Sequence, residues 1–468
     1  MDAIWLIEST RECMAKTAEK LYAMGIYIKD IKCIGITNQM LTIIFWDKVT
    51  GKPLCNAIVY SDARAHDRHQ ELERQMTKDD RLKYQKESGM PFTSIFLPVK
   101  LPWILENNPV VKEVLNQGRL LTGTVNTWIL WTLTGGPNGG SYMTDVTNAC
   151  HTGLMNVYTL TWDANTCSKF NIPMSILPDI HSTSELYGYV KEGPFQGLPL
   201  SGMLGDQPAA TTGQLCFKQG ESKCTYGTVA SLNINTGTTV VTSGHGLLTS
   251  PLYQLGKRSP AVYMLEGVVA SCGNVVKWIR DNLGMITKAS EIEELACTVE
   301  DTDDCYFVPA LEGFFCPYWT DDARGVICGL NMNTTKAHIC RAALESICFQ
   351  VRKLLEIAAD ESGFPIPSLK ADGGMVVNTF FMQMQADILG ENVVRPAMKE
   401  TTSFGAALMA GAADGMDVFR ITEDRLGLEV EFPQKYDVFE KSISAEVLEK
   451  KLKRWEKAVQ KSFDWMKE

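Results

Sequence analysis

Residues 369–390, LKADGGMVVNTFFMQMQADILG, constrain the fold more than any other stretch of this 468-residue chain. An extended apolar piece ends at Ala371-Asp372, two glycines follow, and Asn378 stands where the N-cap of the next helix belongs. A strand that passes through a glycine turn into a helix is a building unit of α/β domains. Glycines at such a turn let the backbone approach a nucleotide closely, and helix N-terminal amides favour negative charge. An ordinary β-turn fits the same residues equally well.

The rest of the chain extends this α/β pattern. Leu6, Met14, Ala18, Leu21 and Met24 recur near helical spacing, and Gly25 supplies the stop. IKCIGITN (31–38) and LTIIFWD (41–47) read as strands, followed by a turn over 48–53. A helix is predicted from Asp62 to about Met76, and the pattern reads as helical again from 100–109 through 124–136, ending at Gly135 and Gly136. GGPNGG (135–140) has no helix directly behind it and reads as a turn. Strands are predicted at 228–237 and 261–269, and a buried strand entering a loop at 303–313. Helices are predicted at 336–359 and 378–389.

The last helix carries Val447, Leu448, Leu452, Trp455, Val459 and Phe463 on one stripe, with a basic opposite face. Glu446, Glu449, Glu456 and Asp464 dilute that face, which favours docking on its own domain over a membrane surface. The Gly/Pro-rich run 193–202 marks a boundary, giving domains at 1–199 and 200–430 and a helical tail at 431–468.

Length alone allows two or three domains, each able to bury its own core. A net charge of −10 would repel a phosphate backbone, which argues against a nucleic-acid partner. The fourteen cysteines include no C-x-x-C pair and read as reduced thiols. His66 and His69 lie three apart on a predicted helix with no third ligand nearby, so a solvated helix face is favoured over a metal clamp. The amphipathic, acid-containing start reads as neither signal nor transit peptide, and no run of eighteen apolar residues is present.

Two further segments carry candidate chemistry. In GDQPAATTGQL (205–215), Asp206 precedes a helix with Pro208 in its first turn; on these residues alone a capping aspartate is favoured over a reactive one. CTYGTVASLNINTG (224–237) reads as a Thr/Gly hairpin whose hydroxyls and amides suit phosphate. No G-x-x-x-x-G-K-[ST] occurs, so P-loop chemistry is excluded.

Taken in order, GITNQ (35–39), WDKVTGKPLCNAIVYSDAR (46–64), GTVNTWILWTLTGG (123–136), SGMLGDQPAATTGQLC (201–216), TYGT (225–228), FVPALEGFFCPYWTDDARGVICGL (307–330), ALESICFQ (343–350), the DGG segment and ETTSFGAALMAG (400–411) resemble the glycerol kinases of the FGGY carbohydrate kinase family. The resemblance spans nearly the whole chain. It implies two ribonuclease-H-like domains of the actin-like ATPase superfamily, with ATP and a small polyol meeting in an interdomain cleft and the products being ADP and sn-glycerol 3-phosphate. By position, Asp206 corresponds to the family's general base and Gln207 to its neighbour on the polyol. Thr228, Gly273, Lys277, Gly373, Gly374 and Asn378 correspond to the nucleotide side. ATP and Mg²⁺ are the implied cofactors, with Asp206 reaching the ion through water. A cytoplasmic homo-oligomer is implied, with association at the mitochondrial surface left open.

Departures from the family pattern fall on the polyol seat. Met40 and Leu41 stand where the family has Arg-Glu, Ile95 where it has a tyrosine and Ser231 where it has a phenylalanine. Val229 replaces a glycine and is expected to crowd the phosphate hairpin. The family also places a strand hairpin, with a Mg²⁺-site aspartate and a Gly-Thr-Thr-Ser loop, before the helix on which this sequence opens. That arrangement implies an unpaired sheet edge here. The alternative reading is a non-catalytic glycerol kinase paralogue serving as a nucleotide-binding or scaffold protein.

Overall fold

A computed structural model describes residues 1–431 and 435–466. Among the described residues, the first domain is built on a three-stranded sheet. Its central strand, Pro199–Gly205, runs parallel to Ile34–Asn38 and antiparallel to Ser184–Tyr189. Ile34–Asn38 is an edge strand of that sheet, and the helix Ala3–Ala23 buries only Ala3 and Ile7 fully.

The second domain carries a seven-stranded mixed sheet. Its order is Leu248–Gln254, Ala261–Val269, Ala230–Gly237, Ser222–Tyr226, Ser368–Asp372, Asn392–Pro396 and Tyr436–Phe439. The helices Lys336–Ser362 and Thr379–Leu389 cover it, burying Ile347, Leu354, Phe381 and Met382 against Cys224, Leu232 and Leu265. Strands buried on both faces need near-continuous apolar runs, which is why AVYMLEGVV reads so plainly.

The two domains meet backbone to backbone. The helix Thr401–Gly411 lies on the first domain's sheet, where a Cβ on Gly35 would come within 2.2 Å of the Ala406 carbonyl oxygen. A Cβ on Gly405 would likewise meet the Ala209 carbonyl oxygen at 1.9 Å. Glycine is therefore required on both sides of this contact, because any side chain would hold the elements apart.

Three sequence-based expectations need correction. Both strands expected between 31 and 47 are present, and Ile43–Asp47 pairs antiparallel with Leu120–Thr124. That strand interrupts the stretch expected to be helical from 100 to 136, leaving helices at Leu97–Asn107, Pro109–Asn116 and Val125–Leu133. Its buried face packs under Trp46, Trp128 and Trp131, and this tertiary contact outweighs local periodicity. The division at 199/200 falls just before the strand that completes the first sheet, so hydrogen bonding carries the first domain past it.

The expected tail from 431 also belongs to the second domain. Tyr436–Phe439 pairs with Asn392–Pro396, and the helix Ala445–Gln460 stacks Trp455 on Phe349 at 5.1 Å while Lys451 bonds the buried Glu345 at 2.8 Å. Among the described residues, no helix is long and apolar enough to cross a membrane.

Candidate active site

The strand Pro199–Gly205 delivers Asp206 to the first position of the helix Asp206–Gly213, with Gly205 as N-cap. Among the described residues, Asp206 Oδ1 accepts only from the adjacent Gln207 N–H, at 3.0 Å. It therefore caps nothing, and the capping reading favoured by the local sequence fails. Burial pushes the Asp206 carboxyl up to about 6, and the charge of Glu266 adds to this while Lys223 and His151 oppose it. A helix N-terminus would ordinarily favour the charged form, so desolvation wins here.

Gln207 faces a lysine that sequence reasoning passed over. Lys223, fully buried on the strand Ser222–Tyr226, donates to Gln207 Oε1 at 2.5 Å and to Thr225 Oγ1 at 2.8 Å. Thr225 in turn donates to Asp372 Oδ1 at 2.5 Å, and Asp372 Oδ2 accepts from Gln214 and Thr401, each at 2.8 Å. Parallel pairing of Thr225 with Asp372 sets this register. An unbroken polar chain thus runs from Gln207 to the residue preceding Gly373-Gly374.

The glycine turn is shaped by close approach. Gly373 has φ +98°, and a Cβ there would lie 2.6 Å from the Tyr226 carbonyl oxygen, whereas a Cβ on Gly374 would meet open space. Gly273 donates its N–H to the Gly227 carbonyl at 3.0 Å, which brings the start of the helix Gly273–Asp281 onto the hairpin. Thr228 stands exposed at the hairpin tip. Gly227 N–H bonds the Val229 carbonyl at 3.0 Å, so the turn closes with valine in place. Asn378 Oδ1 caps the helix Thr379–Leu389 by accepting from Phe381 N–H at 2.7 Å. Lys277 is exposed one turn along the Gly273 helix.

The four divergent positions are apolar or turned inward. Met40 packs on Gly205, where a Cβ would fall 2.2 Å from its sulfur. Leu41, in the left-handed region at φ +64°, and Ile95 join a cluster with Met90, Phe96, Cys150 and Tyr263. Ser231 donates to Glu266 Oε1 at 3.1 Å. Glu266 Oε2 lies 2.9 Å from His151 Nε2, and His151 Nδ1 lies 2.9 Å from the Thr147 carbonyl. Both ring nitrogens face acceptors, which suits the doubly protonated imidazolium. Burial pulls the His151 pKa down, but the hydrogen bond and charge of Glu266 outweigh it and raise it overall. Burial raises Glu266 in turn, and the His151 contact overcomes this to leave it lowered.

His66 and His69 instead meet Gln70 and the Phe92 carbonyl. Among the described residues, no three His, Cys, Asp or Glu side chains gather to hold a metal.

Residues 1–213 match the N-terminal domain of the FGGY family of carbohydrate kinases, and residues 222–413 its C-terminal domain. A glycerol kinase of Saccharopolyspora erythraea is 45% identical over 466 residues, covering 99% of this chain and 90% of that protein. A probable glycerol kinase of Dictyostelium discoideum is 41% identical over 500 residues, covering 98% and 90%. The crystal structure of Plasmodium falciparum glycerol kinase with ADP superposes with a TM-score of 0.85 at 36% identity, covering 98% of this chain and 89% of that one. A ligand-bound xylulose kinase from Lactobacillus acidophilus shares the fold, at TM-score 0.77 and 20% identity.

Proposed function

The chain belongs to the FGGY family of carbohydrate kinases, and from that premise we propose that it transfers the γ-phosphoryl group of Mg-ATP to glycerol or a closely related small polyol, with Asp206 as general base. The carrying observation is a buried carboxylate, its pKa raised to about 6, that accepts from no side chain among the described residues and is linked through Gln207, Lys223, Thr225 and Asp372 to a Gly-Gly turn. A base that titrates near the working pH takes a hydroxyl proton efficiently as the oxygen attacks phosphorus. Phosphoryl transfer otherwise needs positioning and charge neutralisation. The amides around Gly227-Thr228 and Gly373-Gly374 offer the first, with Gly273, Lys277 and Asn378 beside them. Asp206 would hold, through water, the divalent ion that accompanies the ATP phosphates, and that ion would supply charge neutralisation there.

ADP release with glycerol, comparing the native chain with Asp206→Asn, tests the assignment; equal rates would remove the base. A second reading, a nucleotide-binding paralogue without turnover, draws on the apolar packing of Met40, Leu41 and Ile95. Calorimetry that detects ATP binding but no turnover of any small polyol would select it. A cytoplasmic homo-oligomer remains part of the proposal, with sedimentation velocity as its test.

A further inference from the structure

Lys223 links the two halves of the site but has no chemical task in phosphoryl transfer, and stability alone does not explain it. It is fully buried, and among the described residues no carboxylate oxygen lies within 4.0 Å of its ammonium. A buried cation without a direct counter-ion is costly, and a well-packed apolar residue in its place is often neutral or stabilising. What the ammonium does make is two hydrogen bonds, to Gln207 Oε1 at 2.5 Å and Thr225 Oγ1 at 2.8 Å.

We propose that Lys223 is a positioning residue that fixes which end of the Gln207 carboxamide meets the polyol and ties that seat to the nucleotide turn. An ammonium has three donors and no acceptor, so the amide oxygen must face it. Gln207 is left with its NH₂ group to offer, and a polyol hydroxyl seated there accepts through its oxygen. Its own proton is then free to turn toward Asp206, the adjacent residue. The second bond extends the effect. Thr225 accepts from Lys223 and donates to Asp372, whose other oxygen is held by Gln214 and Thr401. Asp372 immediately precedes Gly373, whose backbone is pressed against Tyr226. A displacement of Gln207 by polyol is therefore carried through three hydrogen bonds to the turn where phosphates are expected.

This inference rests on the kinase reading, and its test separates the two. Calorimetry on the full chain measures ADP affinity with and without saturating glycerol, alongside steady-state turnover, for the native chain, Lys223→Met and Thr225→Val. Glycerol should tighten ADP binding severalfold in the native chain. Lys223→Met should raise the glycerol KM about tenfold, as expected for freeing one charge-assisted hydrogen bond, and reduce the coupling to a factor near one. Its affinity for ADP alone should change less than about twofold, well below that loss. Thr225→Val should abolish the coupling while leaving the glycerol KM nearly unchanged, a split that general destabilisation does not produce. If Lys223→Met does not fold, Thr225→Val decides the same question. Folded variants with native coupling and native KM overturn the proposal, as does a native chain that turns glycerol over with no coupling. Coupling without turnover would instead remove the phosphotransfer reading and support the relay.

Discussion

His151 and Glu266 join the two domains through a buried pair, imidazole Nε2 to carboxylate Oε2 at 2.9 Å, across 115 residues of sequence. The helix Val146–His151 that presents the imidazole also steadies the reactive corner, since Thr147 Oγ1 accepts from the Gly205 N–H at 2.9 Å. Replacing His151 with leucine strands a buried carboxylate, so a loss of about 3–5 kcal/mol is expected in urea unfolding at pH 7. The double variant His151→Leu, Glu266→Gln should recover much of it. The His151 contribution, with its folded pKa raised, is lost as pH rises through that value. The Glu266 contribution, with its folded pKa lowered, is lost as pH falls through its own.

Asp206→Asn should lower turnover by about 10²–10⁴, the usual worth of a positioned base. ADP binding, followed by calorimetry, should stay within about twofold, because the proposed nucleotide seat is the other domain's glycine turn.

The acid limb of the turnover profile should have its midpoint near pH 6, since the base role proposed for Asp206 requires the ionised form. The same raised pKa makes the charged carboxylate a cost to folding above that pH. Asp206→Asn should therefore be more stable than the native chain at pH 7.5, by on the order of 1–3 kcal/mol. The gain should shrink as pH falls from about 6 and vanish below about 4, where the carboxyl becomes protonated in the unfolded state as well. Thermal unfolding across pH reads both the sign and the window.

Gly373→Ala and Gly374→Ala should differ sharply. At Gly373 the left-handed backbone and the Tyr226 carbonyl leave no room for a Cβ, so a loss of about 2 kcal/mol and weaker ADP binding are expected. At Gly374 a Cβ meets open space, and stability should be nearly unchanged. Thermal melts with and without ADP distinguish them.

Met40→Arg with Leu41→Glu would replace apolar contacts at the proposed polyol seat with charged ones. Hydrogen bonds to charged groups contribute about 1.5–3 kcal/mol each, so the glycerol KM should fall by at least about tenfold if polyol lies against these residues. A glycerol titration under saturating ATP gives the answer. An unchanged KM would place the polyol elsewhere.

Local patterns made much of the architecture legible. AVYMLEGVV, the Lys336 helix and the strand–glycine–helix unit at 369–390 match the observed elements closely, because their periodicity and caps are encoded within a few residues. Leu120–Thr124 was hidden, since its strand conformation comes from pairing with residues near 45 rather than from its own LLTGT. The capping alternative for Asp206 was undecidable locally, because Gly205 becomes the N-cap only when the sheet fixes where the strand ends.

What the sequence by itself determined was the α/β character, the order of motifs and the residue types at the reactive corner. Tertiary structure alone decided that Lys223 would reach Gln207, that Thr225 would meet Asp372 across 147 residues, and that His151 would find Glu266. Local backbone preferences act over a few residues and can be read along the chain. A buried charge is stabilised only by groups that folding brings within hydrogen-bond reach, and those partners have no signature in the residues beside it.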